Sequence, residues 1–163
     1  MDITDEKLQA LVKRSREFYK ALRPMRCPAL DTEVHFTSDG FNHLLHKPNR
    51  LPRARKEQKN KLSCLKEAVE IIKRSTTVQE YWEEMQTVGS PDKSGFKKTA
   101  KVKYFIFIAL WDHNGIMKRV KVVVRKVGDG QFHFWSVMPY WLEQEVSDDS
   151  YIRLFGKRTS KDE

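Results

Sequence analysis

His43, Arg125 and His133 are the residues of this 163-residue chain whose side chains suit one chemistry together. Imidazole can take or give a proton near neutral pH, and a guanidinium holds a permanent charge shaped for phosphate oxygens. RNA supplies its own nucleophile, the 2′-hydroxyl. Cleaving it therefore needs a base for that proton, an acid for the leaving 5′-oxygen and cations over the developing phosphorane charge. Tyr104 and Lys47 add donors, Trp135 offers an aromatic face on which a base could stack, and this chemistry requires no metal or cofactor. Other sites find less support. His43 and His46 lie three residues apart but lack an HExxH frame, and no Cys and His set has zinc spacing. No GxSxG elbow, phosphate-binding loop or identifiable carboxylate pair is present.

These side chains must be positioned by the stretch Lys101 to Trp141. Aromatic and β-branched residues dominate it, and turn signals divide it into Lys101–Asp112, Ile116–Val127 and Gln131–Trp141, an antiparallel meander. Asn114-Gly115 suits a two-residue type I′ turn, and Gly128-Asp129-Gly130 suits a short hairpin loop. With those loop lengths Tyr104 falls opposite Arg125 and Arg125 opposite His133. One face then carries Tyr104, Arg125 and His133, next Ile106, Val123 and Trp135, then Ile108, Lys121 and Val137. The other face, with Phe105, Phe107, Ala109, Val120, Val122, Val124, Phe134 and Met138, is the expected core, and Ser136 is its polar exception. A slip of one residue would scatter the cluster.

The rest of the chain is expected to be helical support. Thr4 or Asp5 caps a helix to about Leu22 with Leu8, Leu11, Val12, Phe18, Tyr19 and Leu22 along one stripe. Glu33–Thr37 reads as a short strand. A helix over Gly40–Lys47 sets Phe41, Leu44 and Leu45 on one side and His43, His46 and Lys47 on the other, and Pro48 stops it. A longer helix, Arg55–Arg74, faces inward through Leu62, Leu65, Val69 and Ile72. Its outer side, Lys56, Lys59, Lys66 and Lys73, would run for ~30 Å, and Lys47, Arg50, Arg53 and Arg55 extend it. Thr77-Val78-Gln79-Glu80 has capping-box spacing and predicts a further helix bearing Tyr81, Trp82 and Met85 in the core. Thr87–Thr99 reads as a connection. Past Trp141 the chain turns acidic, and Tyr151–Phe155 could add a last strand before a disordered end.

Length and composition suit a single domain over 1–163, mainly helical through residue 100, with the meander at 101–141 and a tail at 142–163. An excess of 31 basic over 22 acidic residues gives a net charge of +9 and predicts a polyanionic partner, RNA or another nucleic acid first. Cys27 and Cys64 match no metal or paired-thiol spacing and read as reduced thiols. With no apolar run long enough for a membrane span and no signal-peptide pattern, a cytoplasmic location without a membrane partner is expected.

Gly40-Phe41-Asn42-His43-Leu44-Leu45 followed by Arg50 and Arg55, then Val122 to Gly128, and His133-Phe134-Trp135-Ser136-Val137, together resemble small phage- and mobile-element-associated proteins of the barnase, EndoU, colicin and RelE (BECR) nuclease group. The resemblance covers roughly Val34 to Trp141. It implies an α+β fold, N-terminal helices packed on one face of an antiparallel sheet. It also implies a metal-independent endoribonuclease, often a toxin, whose site draws a helical His together with strand Arg, His, Ser or Thr. Carried to this chain it marks His43, Arg125 and His133, with Ser136 as a fourth member. Binding of the nucleic acid then falls to Lys47, Arg50, Arg53, Arg55, Lys59, Lys121 and Trp135. Two other readings are a non-catalytic nucleic-acid-binding module using the same cations, and an adaptor whose basic surface meets an acidic, antitoxin-like protein.

Overall fold

The computed structural model describes residues 2–113 and 116–141. The Asn114-Gly115 turn, the acidic segment and the expected Tyr151–Phe155 strand lie outside the described residues. Helix α1 (Asp5–Lys20) leads into β1 (Met25–Cys27), a short 3-10 turn and β2 (Thr32–His35). Then come α2 (Ser38–Leu45), α3 (Arg55–Ser63), α4 (Leu65–Arg74), β3 (Glu80–Val88), β4 (Lys98–His113), β5 (Ile116–Val127) and β6 (Phe132–Trp141). The strands form one six-stranded sheet ordered β1-β2-β6-β5-β4-β3. It is α+β, as the sequence implies, but the sheet is mixed. β2 runs parallel to β6 through Val34 and His35, and every other pairing is antiparallel.

The meander sits where its turn signals put it. Tyr104 pairs with Arg125, Arg125 with His133, and His113 with Ile116. The register holds only as far as Phe134. Val124 faces Phe134 but Val123 faces Ser136, so Trp135 is the extra residue of a β-bulge. Beyond it each β6 residue is one position off the expected pairing. Val137 faces Val122 and joins the core, and Met138 faces Lys121.

Two apolar clusters result. Phe107, Val120, Val122, Val124, Phe134 and Val137 pack with Tyr19, Phe41, Leu44, Leu62, Leu65 and Ile72 from the helices, which is the expected core face. The other face is drier than its polar residues suggest. Val102, Tyr104, Ile106 and Val123 form a second buried cluster there, with Trp135 packed against it.

Two helix expectations fail. The 55–74 helix breaks at Cys64, whose φ of −103° and ψ of 8° leave the α region. The break lets α3 lie along β6 while α4 crosses β1, β4 and β5. Lys56, Lys59, Lys66 and Lys73 are exposed, yet they are split between two helices and form no single straight face. Segment 80–88 is an edge strand, so the first hundred residues also contribute three strands. Without a neighbour on that side β4 would be an edge, presenting a row of unpaired backbone groups on which a further strand can pair. Gln79 begins that pairing: its amide donates to the Ile106 carbonyl and its Oε1 accepts from the Ile108 amide at 2.9 Å. Tyr81, Trp82 and Met85 are consequently exposed rather than core.

Other expectations are met in part: the short strand runs Thr32–His35 instead of Glu33–Thr37, the following helix Ser38–Leu45 instead of Gly40–Lys47, and both ends of the expected Thr87–Thr99 connection belong to strands. Thr4 caps α1, accepting from the Lys7 amide, and Leu8 and Tyr19 are buried along its inner stripe. The Tyr19 hydroxyl donates to the Thr37 carbonyl at 2.6 Å and fixes the entry to α2. At Gly40 that helix meets β6 directly. A Cβ there would stand 2.3 Å from the Phe134 carbonyl oxygen and 2.8 Å from the Tyr19 hydroxyl. Replacing a helical glycine by alanine ordinarily stabilises by up to ~1 kcal/mol. Here the sign reverses: Gly40→Ala should lose about 1–3 kcal/mol in urea denaturation through overpacking, and an unchanged or raised stability would contradict this contact.

Candidate active site

The bulge turns Trp135 out of the ladder, and three groups gather on it. Arg125, from β5, places its guanidinium carbon 4.1 Å from the indole centroid. His43, one helical turn after Gly40, stacks on the same indole at 4.1 Å with 20° between planes. His133 meets its edge at 6.1 Å and 83°. Across the ladder the Arg125 guanidinium also lies 6.0 Å from the Tyr104 ring.

β3 closes the other side. Gln86 donates to the Tyr104 hydroxyl at 2.9 Å, and its Oε1 faces Arg125 Nη2 at 3.4 Å, while Glu84 bonds the same amide. Between β3 and the α2 side lies an open groove of about 970 Å³. Its lining combines Arg125, Trp135, Tyr104, Gln86 and Glu84 with Asp39, Asn42, His43, His46, Lys47 and Arg50. The last two are presented by a tight turn. The Arg50 amide donates to the Lys47 carbonyl at 2.8 Å, with Arg50 itself at φ +69°, a left-handed conformation costly for a side-chain-bearing residue.

Two N–H donors in this wall are left over. Arg125 Nε and Trp135 Nε1 are sealed from solvent and make no hydrogen bond. Leaving such a donor unpaired costs about 1–3 kcal/mol. Among the described residues Arg125 makes no ion pair, and burial works against its charge, offset by Tyr104, Asp39 and Glu84. Both donor atoms belong to residues in mutual contact that line one groove, although the atoms themselves are closed to its solvent.

The sequence-marked residues divide. His43, Tyr104, Arg125, Trp135, Lys47 and Arg50 share the groove. His133 pairs with Arg125 but is absent from the groove lining; it is half-buried behind the indole, with Nδ1 3.4 Å from the Gln131 carbonyl. Ser136 is fully buried and accepts from Lys61 Nζ at 3.0 Å, so its place is in the packing rather than the groove. Arg53 is no surface cation either. It is 3% exposed, donating to the His43 carbonyl and bound to Glu57 at 2.6 Å. Lys121 is fully buried. Arg55 and Lys59 are exposed outside the groove, Arg55 facing Asp5 at 3.3 Å.

Glu84, Gln86, Asp39, Asn42 and His46 were not expected to face a ligand. Glu84 and Gln86 were hidden by the helical reading of residues 77–86. The contrary signal was the strand-forming run at its ends, Tyr81-Trp82 and Thr87-Val88, outweighed by the capping-box spacing. Among the described residues no group of three or more His, Cys, Asp or Glu side chains could hold a metal ion, and no helix is long and apolar enough to cross a membrane. Comparisons with protein-family models, curated proteins and solved structures found no match.

His43 is not the water-facing imidazole that helical periodicity implies. It is 5% exposed, and burial, then Arg53, Lys61 and Arg125, push its pKa down to about 2. His133 is shifted the same way, by burial first. The unfolded chain therefore binds a proton at His43 below about pH 6.5 that the folded chain refuses. His43's contribution is complete above that pH and drains away as the pH falls toward 2, at up to ~1.4 kcal/mol per unit. Urea denaturation at pH 7 and pH 5 should show this loss, and His43→Phe, which keeps a ring on Trp135, should flatten the slope. Equal slopes in both proteins would show that His43 is not held neutral.

Proposed function

We propose that this groove binds a single-stranded RNA backbone and that the protein is a metal-independent endoribonuclease acting through 2′-hydroxyl attack. What carries the proposal is the Arg125 guanidinium, half-buried in the groove wall against Trp135 and without an ion pair among the described residues. A phosphodiester offers acceptor oxygens and a charge that answers this guanidinium. Lys47 and Arg50 at the rim meet neighbouring phosphates. The net charge of +9 favours such a polyanion at long range.

The buried state of His43 redistributes the chemical roles. A ring kept neutral in the resting protein contacts the phosphate rather than carrying its proton. Proton transfer falls to the groups that line the groove nearer solvent, the His46 imidazole from the α2 side and the Glu84 carboxylate from β3. One takes the 2′-hydroxyl proton and the other returns a proton to the 5′-oxygen, leaving a 2′,3′-cyclic phosphate. Arg125, with the Tyr104 hydroxyl beside it through Gln86, stabilises the phosphorane charge. His133 acts behind the site by holding the edge of Trp135.

The burial of His43 and the absence of His133 from the groove lining favour one second reading, a binding module that leaves RNA intact. Incubation with RNA in excess EDTA separates the two. Cleavage with cyclic phosphate ends is expected, with Arg125→Ala slowed on the order of 10²–10³-fold and Lys59→Glu, on the outer helix face, nearly unaffected. Intact RNA that is nonetheless bound in a salt-dependent manner would establish the binding module instead.

A further inference from the structure

We infer that Arg53 is a positioning residue that locks the His43 ring in one tautomer, with Nε2 bare and the proton on Nδ1, so that the ring offers the groove a fixed N–H donor. This function for the donor rests on the proposed RNA chemistry, whereas the tautomer does not.

The geometry is that of a guanidinium used as a bracket. Arg53 is tied to the end of α2 by its own amide, which donates to the Leu45 carbonyl at 2.9 Å. Its side chain is 1% exposed and its three nitrogens are separately engaged. Nε donates to the His43 carbonyl at 2.8 Å, Nη1 to Glu57 Oε1 at 2.6 Å, and Nη2 lies 3.3 Å from His43 Nε2. A guanidinium can only donate. The nitrogen it faces must therefore be the unprotonated one, and the ring hydrogen is left on Nδ1.

The environment holds that state against protonation. The charged groups acting on the ring are Arg53 beside it, Lys61 from α3 and Arg125 from β5, all cations, while β6 contributes the indole face of Trp135. Glu57 neutralises Arg53 without reaching the ring. Nδ1 has no hydrogen-bond partner among the described residues, and it is not among the polar atoms sealed from solvent. His43 lines the groove, so Nδ1 is the nitrogen left for a ligand oxygen. The bracket thus converts a residue that ordinarily shuttles protons into a neutral donor of fixed direction.

Nitrogen-15 NMR of the imidazole reads the tautomer directly in the unaltered protein, without RNA. The Nδ1–H form is expected from pH 5 to pH 8. Arg53→Met, which fills similar space without a donor, should give a mixture of tautomers and a His43 that titrates in that range. Glu57→Gln leaves the bracket in place but loosens it, and serves where the first variant does not fold; it should give a smaller shift of the same sign. An Nε2–H form in the unaltered protein, or a tautomer untouched by either variant in a folded chain, would overturn the inference. In RNA cleavage Arg53→Met should lower kcat on the order of 10²-fold with KM little changed. Absence of cleavage in the unaltered protein would count against the proposed function alone, and the NMR result would still decide the role of Arg53.

Discussion

One extra residue in β6, Trp135, decides what the groove is made of. In a regular ladder the sequence His133 to Val137 would alternate between faces, and Trp135 would lie flat beside Val123. The bulge instead frees it from pairing, so its indole becomes a surface on which a helix residue and a strand residue meet. The same irregularity sends Val137 into the core and Ser136 to the buried amine of Lys61. Gly40 completes the arrangement. Without a side chain there, α2 rests on the Phe134 carbonyl next to the bulge, and His43, one turn onward, arrives over the indole. A larger residue would lift the helix and separate the two rings.

Electrostatics follow from that packing. A chain with +9 overall buries several of its cations, among them Arg53, paired with Glu57, and Lys118, paired with Glu67 at 3.4 Å. Arg125 differs. Its guanidinium has a cation–π contact with Trp135, a long hydrogen bond to Gln86 and support from Tyr104, but among the described residues no carboxylate in ion-pair contact. A half-buried guanidinium without an ion pair costs folding some stability; in the proposed function an incoming anion would offset that cost. His43, neutral among cations, adds a donor without adding charge. The groove thus presents positive charge, and His46 and Glu84, the proton carriers of the proposed reaction, line it as well.

Much of this was legible in the sequence because the signals were local. Asn114-Gly115 and Gly128–Gly130 fix loop lengths, loop lengths fix register, and register brings Tyr104, Arg125 and His133 together. What could not be read was long-range. The residue types near 135 carry no bulge signal of their own, and the strand packs there against α2 and α3, which lie far away in sequence. The capping-box spacing at Thr77–Glu80 was a true local preference, overridden by the unpaired edge of β4, and with that strand went Glu84 and Gln86 from view. Arg53 looked like one of a run of surface arginines. Its burial depends on Glu57, one helical turn along, and on His43, ten residues back, a triangle that periodicity does not reveal. Helical spacing likewise put His43 on the wet side of α2, because a wheel records direction and not what stands beyond it.

The central claim is that the Arg125 guanidinium, stacked on Trp135 in the groove wall, is where a phosphodiester would bind. The most direct measurement is the nitrogen-15 and proton shift of the Trp135 indole N–H while a short RNA, blocked by a 2′-O-methyl group against cleavage, is titrated in. A saturable shift of that resonance, which lies beside the Arg125 guanidinium, abolished in Arg125→Ala, is the predicted result. An indole resonance that stays in place while the RNA binds elsewhere would contradict the account.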